Sequence, residues 1–193
     1  MTTSLFSPEH GLIDNATFLQ KISSVDLPIV TDNKKISWYN VPAAFDIETS
    51  SFYSQGEKQA NMYIWQFGIN GYVFMGRLWD EFTQLLDKLK AEFDINIENR
   101  LVIYVHNLAF EFQFIRKLFR WYNVFSIDSR KPIYATTCYG FEFRCSYLLS
   151  GYSLAKVGDN LTKYKCEKMV GDLDYSLKRH YKTPLSQDEL KYC

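Results

Sequence analysis

Asp46 and Glu48 stand two residues apart in Val41-Pro42-Ala43-Ala44-Phe45-Asp46-Ile47-Glu48-Thr49-Ser50. In a strand, residues i and i+2 point to one face, so both carboxylates converge beside an apolar sheet. Two anions that close repel each other and resist burial unless a cation sits between them. The pair reads as half of a divalent-metal site. The plainer alternative is a solvated strand end, and the apolar flanks argue against it. Glu111 is a third candidate, in His106-Asn107-Leu108-Ala109-Phe110-Glu111. It falls just past a strand-length run and in the first turn of the next helix, where the helix dipole favours a carboxylate. Serving the dipole alone is the plainer role for it. Two-metal phosphoryl-transfer sites use such a cluster, with ions about 3.5–4 Å apart, to generate hydroxide and to stabilise the leaving oxygen. Asn107 is placed to orient its neighbours or to hydrogen-bond a substrate backbone. His106 reads as a structural or backbone contact rather than a metal ligand.

The elements that must position these acids follow from pattern. Residues 41–47 read as a buried strand and 50–60 as a polar loop. Residues 62–69 and 72–77 are β-branched and aromatic, joined by Asn70-Gly71, a strong hairpin signal. Leu78 to Phe93 has apolar residues at helical spacing, and Leu101 to Val105 is a short apolar strand. Phe110 to Tyr122 reads as a helix with an aromatic face. A second hairpin is expected around Tyr139-Gly140, then a short helix capped by Ser153. Ser186 and Glu189 have the spacing of a capping box for a last helix. Asn15 to Ser23 fits a short helix, and the stretch 163–181 reads as polar, basic and irregular. The order strand, hairpin, helix, strand, helix predicts an α/β fold with a mixed central sheet flanked by helices. The helix linking the first strand to the Leu101 strand makes those two parallel neighbours.

Composition excludes little else. Lys plus Arg number 22 and Asp plus Glu 22, so no bulk charge advertises nucleic acid or membrane. A local basic face can still coexist with an acidic site. The 14 Tyr and 15 Phe are core residues in the main, with some available as base-stacking platforms. No apolar stretch is long enough to span a bilayer, and no secretory signal opens the chain. Cys138, Cys145, Cys166 and Cys193 form no Cys-x-x-Cys pair, which favours idle thiols in a reducing cytoplasm. Lys163, Lys165, Lys168, Lys178, Arg179 and Lys182 read as a solvated surface, or else a patch for a DNA backbone. Asp172 and Asp174 fit a polar turn better than a metal pair. Phe110 and Phe114, four apart on a helix, suit core packing as well as base contact.

These motifs, in order, resemble a known family. Phe45-Asp46-Ile47-Glu48-Thr49 looks like the first motif of proofreading 3′–5′ exonucleases. His106 to Glu111 is similar to the second motif of family B DNA polymerases of the protein-primed phage type, usually Asn-x-x-Phe-Asp. Glu111 departs from it by one methylene. Gly171 to Tyr175, then Thr183-Pro184-Leu185 and Glu189 to Tyr192, resembles the approach to the third motif, Tyr-x-x-x-Asp. Tyr192 matches its tyrosine, and its Asp falls beyond Cys193. Ser153-Leu154-Ala155-Lys156-Val157 is similar to the family's Ser-Leu segment, which contacts single-stranded DNA and the priming terminal protein.

The resemblance spans residues 41–193, leaving 1–40 as an N-terminal extension of unknown role. It implies an RNase H-like exonuclease fold, with a polymerase domain expected to follow and not contained in this sequence. It implies hydrolysis of DNA from the 3′ end with Mg²⁺ or Mn²⁺ held by Asp46, Glu48 and Glu111, and Tyr192 orienting the attacking water. Thr49, His106, Asn107, Phe110, Phe114, Ser153, Leu154 and Lys156 would hold the DNA strand or the terminal protein. The setting implied is a host-cell cytoplasm, away from membranes. The alternative is a catalytically impaired fragment that binds single-stranded DNA or the terminal protein, lacking the fourth metal ligand.

Overall fold

The Asn70-Gly71 turn forms as its residues dictate. Both take positive φ, 50° and 82°, which closes a two-residue hairpin between β6 (Glu57–Ile69) and β7 (Tyr72–Gly76). β5 (Ala43–Ser54) pairs antiparallel with the other side of β6. These strands belong to a computed structural model that describes residues 5–7, 11–13, 20, 28–32, 35–161 and 177–192. The helix expected over Asn15 to Ser23 lies outside the described residues except at Gln20.

The centre of the sheet is β5 beside β8 (Asn99–Val105), parallel as expected. β11 (Phe141–Cys145) continues the parallel set on the other edge of β8. β10 (Lys131–Thr137) and β9 (Trp121–Asp128) follow it, antiparallel, out to the edge. Residues before 41 add β1 (Leu5–Ser7) and β2 (Gly11–Ile13) beyond β7. They also add β4 (Ser37–Tyr39) beside β8, with β3 (Ile29–Thr31) against it. Among the described residues these eleven strands form one mixed sheet, with the backbone order β2-β1-β7-β6-β5-β8-β11-β10-β9.

One face of the sheet carries the core. Alternation along β5 turns Ala43, Phe45 and Ile47 inward and leaves Asp46 exposed and Glu48 half-buried. Helix α1 (Trp79–Phe93) buries Phe82, Leu85, Leu86 and Leu89, the helical stripe legible in the sequence. Phe82 stacks on Phe45 with centroids 4.6 Å apart. Helix α2 (Leu108–Ile115) adds Leu108 and Ile115 to the same cluster. Helices α3 (Tyr147–Ser150), α4 (Leu154–Asn160) and α5 (Gln187–Tyr192) complete the described set.

Two expectations need correction. The stretch 50–60 is no loop: β5 and β6 run on as a long hairpin arm closed by Gln55 and Gly56, with φ 51° and 81°. Its outer residues are mostly exposed on both faces, so no apolar alternation marks them as strand. The helix expected over 110–122 ends at Ile115, and Trp121 onward is strand β9. β-branched and aromatic side chains there pair with β10, and that pairing outweighs a helical spacing of aromatics.

Candidate functional site

Register explains how residues distant in sequence meet. Ala44 pairs with Tyr104, so two residues further along each chain Asp46 stands level with His106, where β8 has ended. Asn107 takes the left-handed conformation, φ 72°, which Asn tolerates better than most residues. That turn sends the chain into α2 and puts Glu111 in its first turn, as expected. A register shift between Glu48 and Thr49 leaves Tyr63 of β6 as an extra residue, a bulge beside the acidic pair.

A cleft of about 950 Å³ opens on the face of β5 that carries Asp46 and Glu48. Asp46, Glu48, His106, Asn107, Ser153, Leu154 and Tyr192 all line it. So do Gln66, Tyr104, Ser146 and Tyr147, which sequence reasoning missed. For Tyr104 a signal existed, since it sits two residues before His106 on the strand that faces the pair. Gln66 carried none: its place depends on the β5–β6 register, which sets it opposite Asp46.

The partners of these groups are specific. His106 Nδ1 lies 3.2 Å from Ser146 Oγ, and its ring meets Tyr147 edge-on at 5.7 Å. Ser153 caps α4 by accepting the Lys156 backbone N–H at 3.3 Å, as its position predicts. Ser186 and Glu189 form the capping box: Ser186 N–H donates to Glu189 Oε2 at 2.7 Å, and Glu189 N–H to Ser186 Oγ at 3.1 Å. Arg179 clamps this turn through Glu189 Oε1 at 2.7 Å and is itself buried, so it is not part of a solvated basic surface. Its N–H donates to Ser50 Oγ at 3.0 Å, and its carbonyl accepts from Asn61 Nδ2 at 3.0 Å. The segment that carries Tyr192 is thereby tied to the β5–β6 arm.

Glu111 does not line the cleft but lies behind it, 4% exposed. Burial pushes its carboxyl up to about 8; its own backbone N–H opposes this and the Asp46 charge adds to it. Among the described residues its Oε2 accepts no hydrogen bond, and neither does Oε1 of Gln66, which is 7% exposed. Carboxylate and amide oxygens of this kind are the donors that Mg²⁺ and Mn²⁺ take. Among the described residues, however, no group of three or more Asp, Glu, His or Cys lies close enough to hold a metal ion. Asp46 and Glu48 leave one face of β5, and Glu111 comes from the first turn of α2, close enough for the Asp46 charge to act on it.

The remaining candidates sit apart from the cleft lining. Thr49 is half-buried, Lys156 is exposed, and Phe110 packs on Phe114 with centroids 5.3 Å apart. Phe110 stays 42% exposed, so its ring is open to a ligand as well as to its neighbour. Lys163, Lys165, Lys168, Cys166, Cys193 and the 171–175 stretch with Asp172 and Asp174 lie outside the described residues. Cys138 and Cys145 are free thiols, one exposed and one buried. Among the described residues no helix is long and apolar enough to cross a membrane. In comparisons with known proteins, no family model, curated protein or solved structure matches the chain.

Proposed function

We propose that the chain is an RNase H-like 3′–5′ exonuclease domain that hydrolyses single-stranded DNA from its 3′ end with Mg²⁺ or Mn²⁺. The observation that carries this reading is the convergence of Asp46 and Glu48 with Asn107 and Tyr192 on one cleft, with buried Glu111 behind it. The β7-β6-β5-β8-β11 order supports the fold assignment, with β5, β8 and β11 parallel and β6 reversed. Asp46 and Glu48 then lie on β5 level with the carboxyl end of its neighbour β8, from which the Glu111 motif follows.

Asp46 and Glu48 would hold the metal, and Glu111, once deprotonated, would complete the set. The bound ions supply a nucleophile from water and stabilisation of the leaving 3′ oxygen. Tyr192 orients the attacking water across the cleft. Asn107 and His106 line the wall against which the terminal nucleotide rests, and Ser153 and Leu154 close the far side. Thr49, Phe110, Phe114 and Lys156 would meet the strand outside the cleft. The work is that of a phage-type family B polymerase in its host's cytoplasm, with a priming terminal protein as second partner of the Ser153–Lys156 turn.

The test is trimming of a 3′-labelled single strand in Mn²⁺, with Asp46→Ala as control. Metal-dependent shortening that the substitution abolishes is expected, and its absence in the unmodified chain removes the enzyme reading. A second reading is favoured by the lack, among the described residues, of a group of three side chains that could hold a metal ion: a chain that binds the strand and does not cut it. Retained binding without trimming selects that outcome.

A further inference from the structure

The strand pairings draw one row of side chains across the sheet. Ala44 pairs with Tyr104, Tyr104 with Arg144, Arg144 with Tyr134, and Tyr134 with Phe125. Directly paired residues share a face, so the row lies on the face that carries Asp46 and Glu48. Tyr104 lines the acidic cleft, Tyr104 and Arg144 line the hollow beside it, and Arg144 and Tyr134 line a further groove of about 830 Å³. The three depressions are contiguous through shared residues. From Tyr104 to Phe125 the row crosses three strand spacings, about 14 Å.

Its chemistry alternates ring and cation. Phe125 and Tyr134 stack, with centroids 5.4 Å apart and planes at 26°, and Phe125 remains 51% exposed. The Arg144 guanidinium lies 6.0 Å over Trp38, whose buried Nε1 has no acceptor among the described residues. Arg144 and Arg100 both bind Glu142, at 2.5 and 2.9 Å. Two guanidiniums on one carboxylate leave a net positive charge on a face that opens into the cleft.

We propose that this row is the path of a single-stranded nucleic acid leaving the acidic cleft, with bases on Tyr104, Tyr134 and Phe125 and a phosphate at Arg144. Aromatic platforms interleaved with a cation suit a polyanion whose bases are free to stack. The direction rests on the reading of the cleft as a 3′-end site; the row then takes the nucleotides on the 5′ side. A purely apolar protein segment would leave the shared positive charge of Arg100 and Arg144 unanswered.

The experiment measures binding of labelled oligo(dT) to the whole chain in EDTA, with lengths of about twelve and about four nucleotides. Phe125→Ala and Tyr134→Ala each weaken the longer oligonucleotide about tenfold and leave the shorter unchanged. Arg144→Gln lowers the slope of log affinity against log salt by about one. Phe125 is half exposed, so its variant keeps the fold, and circular dichroism checks that. Unaltered binding of the longer strand by folded Phe125→Ala and Arg144→Gln overturns the proposal, as does no binding by the unmodified chain; the former result points to a protein on this face. Length-dependent binding without Mn²⁺-dependent trimming keeps the track and removes the nuclease. Trimming indifferent to all three variants does the reverse.

Discussion

Glu111 concentrates the chemistry of this molecule in one side chain. Folded, it holds its proton up to about 8, against 4.5 for the ordinary carboxyl, with burial as the main cause. A raised folded pKa means that the native state binds the extra proton. Its stabilising share is full below about pH 4.5 and is lost as pH rises toward 8. At about 1.4 kcal/mol per unit the loss is on the order of 4–5 kcal/mol. Without metal, denaturant midpoints of the unmodified chain should fall across that window, while Glu111→Gln stays flat and is the more stable at pH 8. Asp46→Asn removes a charge that raises the Glu111 pKa, so the fall should be smaller. In the trimming assay, Asp46→Ala and Glu48→Ala should each lose about a hundredfold or more in rate, while melting as the parent does or higher. A pair that was only a solvated strand end would leave the rate unchanged.

Elements position these groups by backbone geometry. Gly140, at φ 95°, joins β10 to β11, and a Cβ there would stand 2.1 Å from the Asn96 carbonyl oxygen. Gly71, at φ 82°, has open space around it. Gly71→Ala should therefore cost about 1 kcal/mol, from backbone strain alone. Gly140→Ala adds a backbone clash and should cost several times more, with urea melts separating the two. At the other end of the chain, the Arg179–Glu189 pair seats α5 against the β5–β6 arm. Arg179→Ala should destabilise by about 2 kcal/mol, the low side for a buried pair because Glu189 is partly exposed. It should also lower trimming to the level of Tyr192→Phe, since both remove the placed hydroxyl. The Ser186 backbone N–H and Arg179 hold the Glu189 carboxyl below its usual range. The cap is therefore intact above the ordinary carboxylate range and weakens as pH falls below it.

At the scale of the molecule, metal and proton compete for one site. A cation that binds only the folded chain stabilises it by about 2.7 kcal/mol at a hundredfold excess over Kd. Mn²⁺ should raise the melting temperature at pH 8, where Glu111 ionises, and much less at pH 5.5. Asp46→Ala should remove the shift at both. A melting shift that ignored pH would place the ion away from Glu111.

Much of this was written in local chemistry. Asn70-Gly71, the stripe of α1, the Ser153 cap and the Ser186–Glu189 box are interactions within a few residues, and each formed as its sequence predicts. The same holds for Asp46 and Glu48 sharing a face, because strand alternation is local. Tertiary pairing decided the rest. It drew Trp121 onward into an edge strand, set Gln66 against Asp46, and ran Tyr104, Arg144, Tyr134 and Phe125 in one row. It also buried Glu111 outside the cleft lining, because how a helix residue packs against a strand distant in sequence is settled only by the assembled sheet. Spacing in the chain specifies the face of each element; only the packed sheet specifies which faces meet.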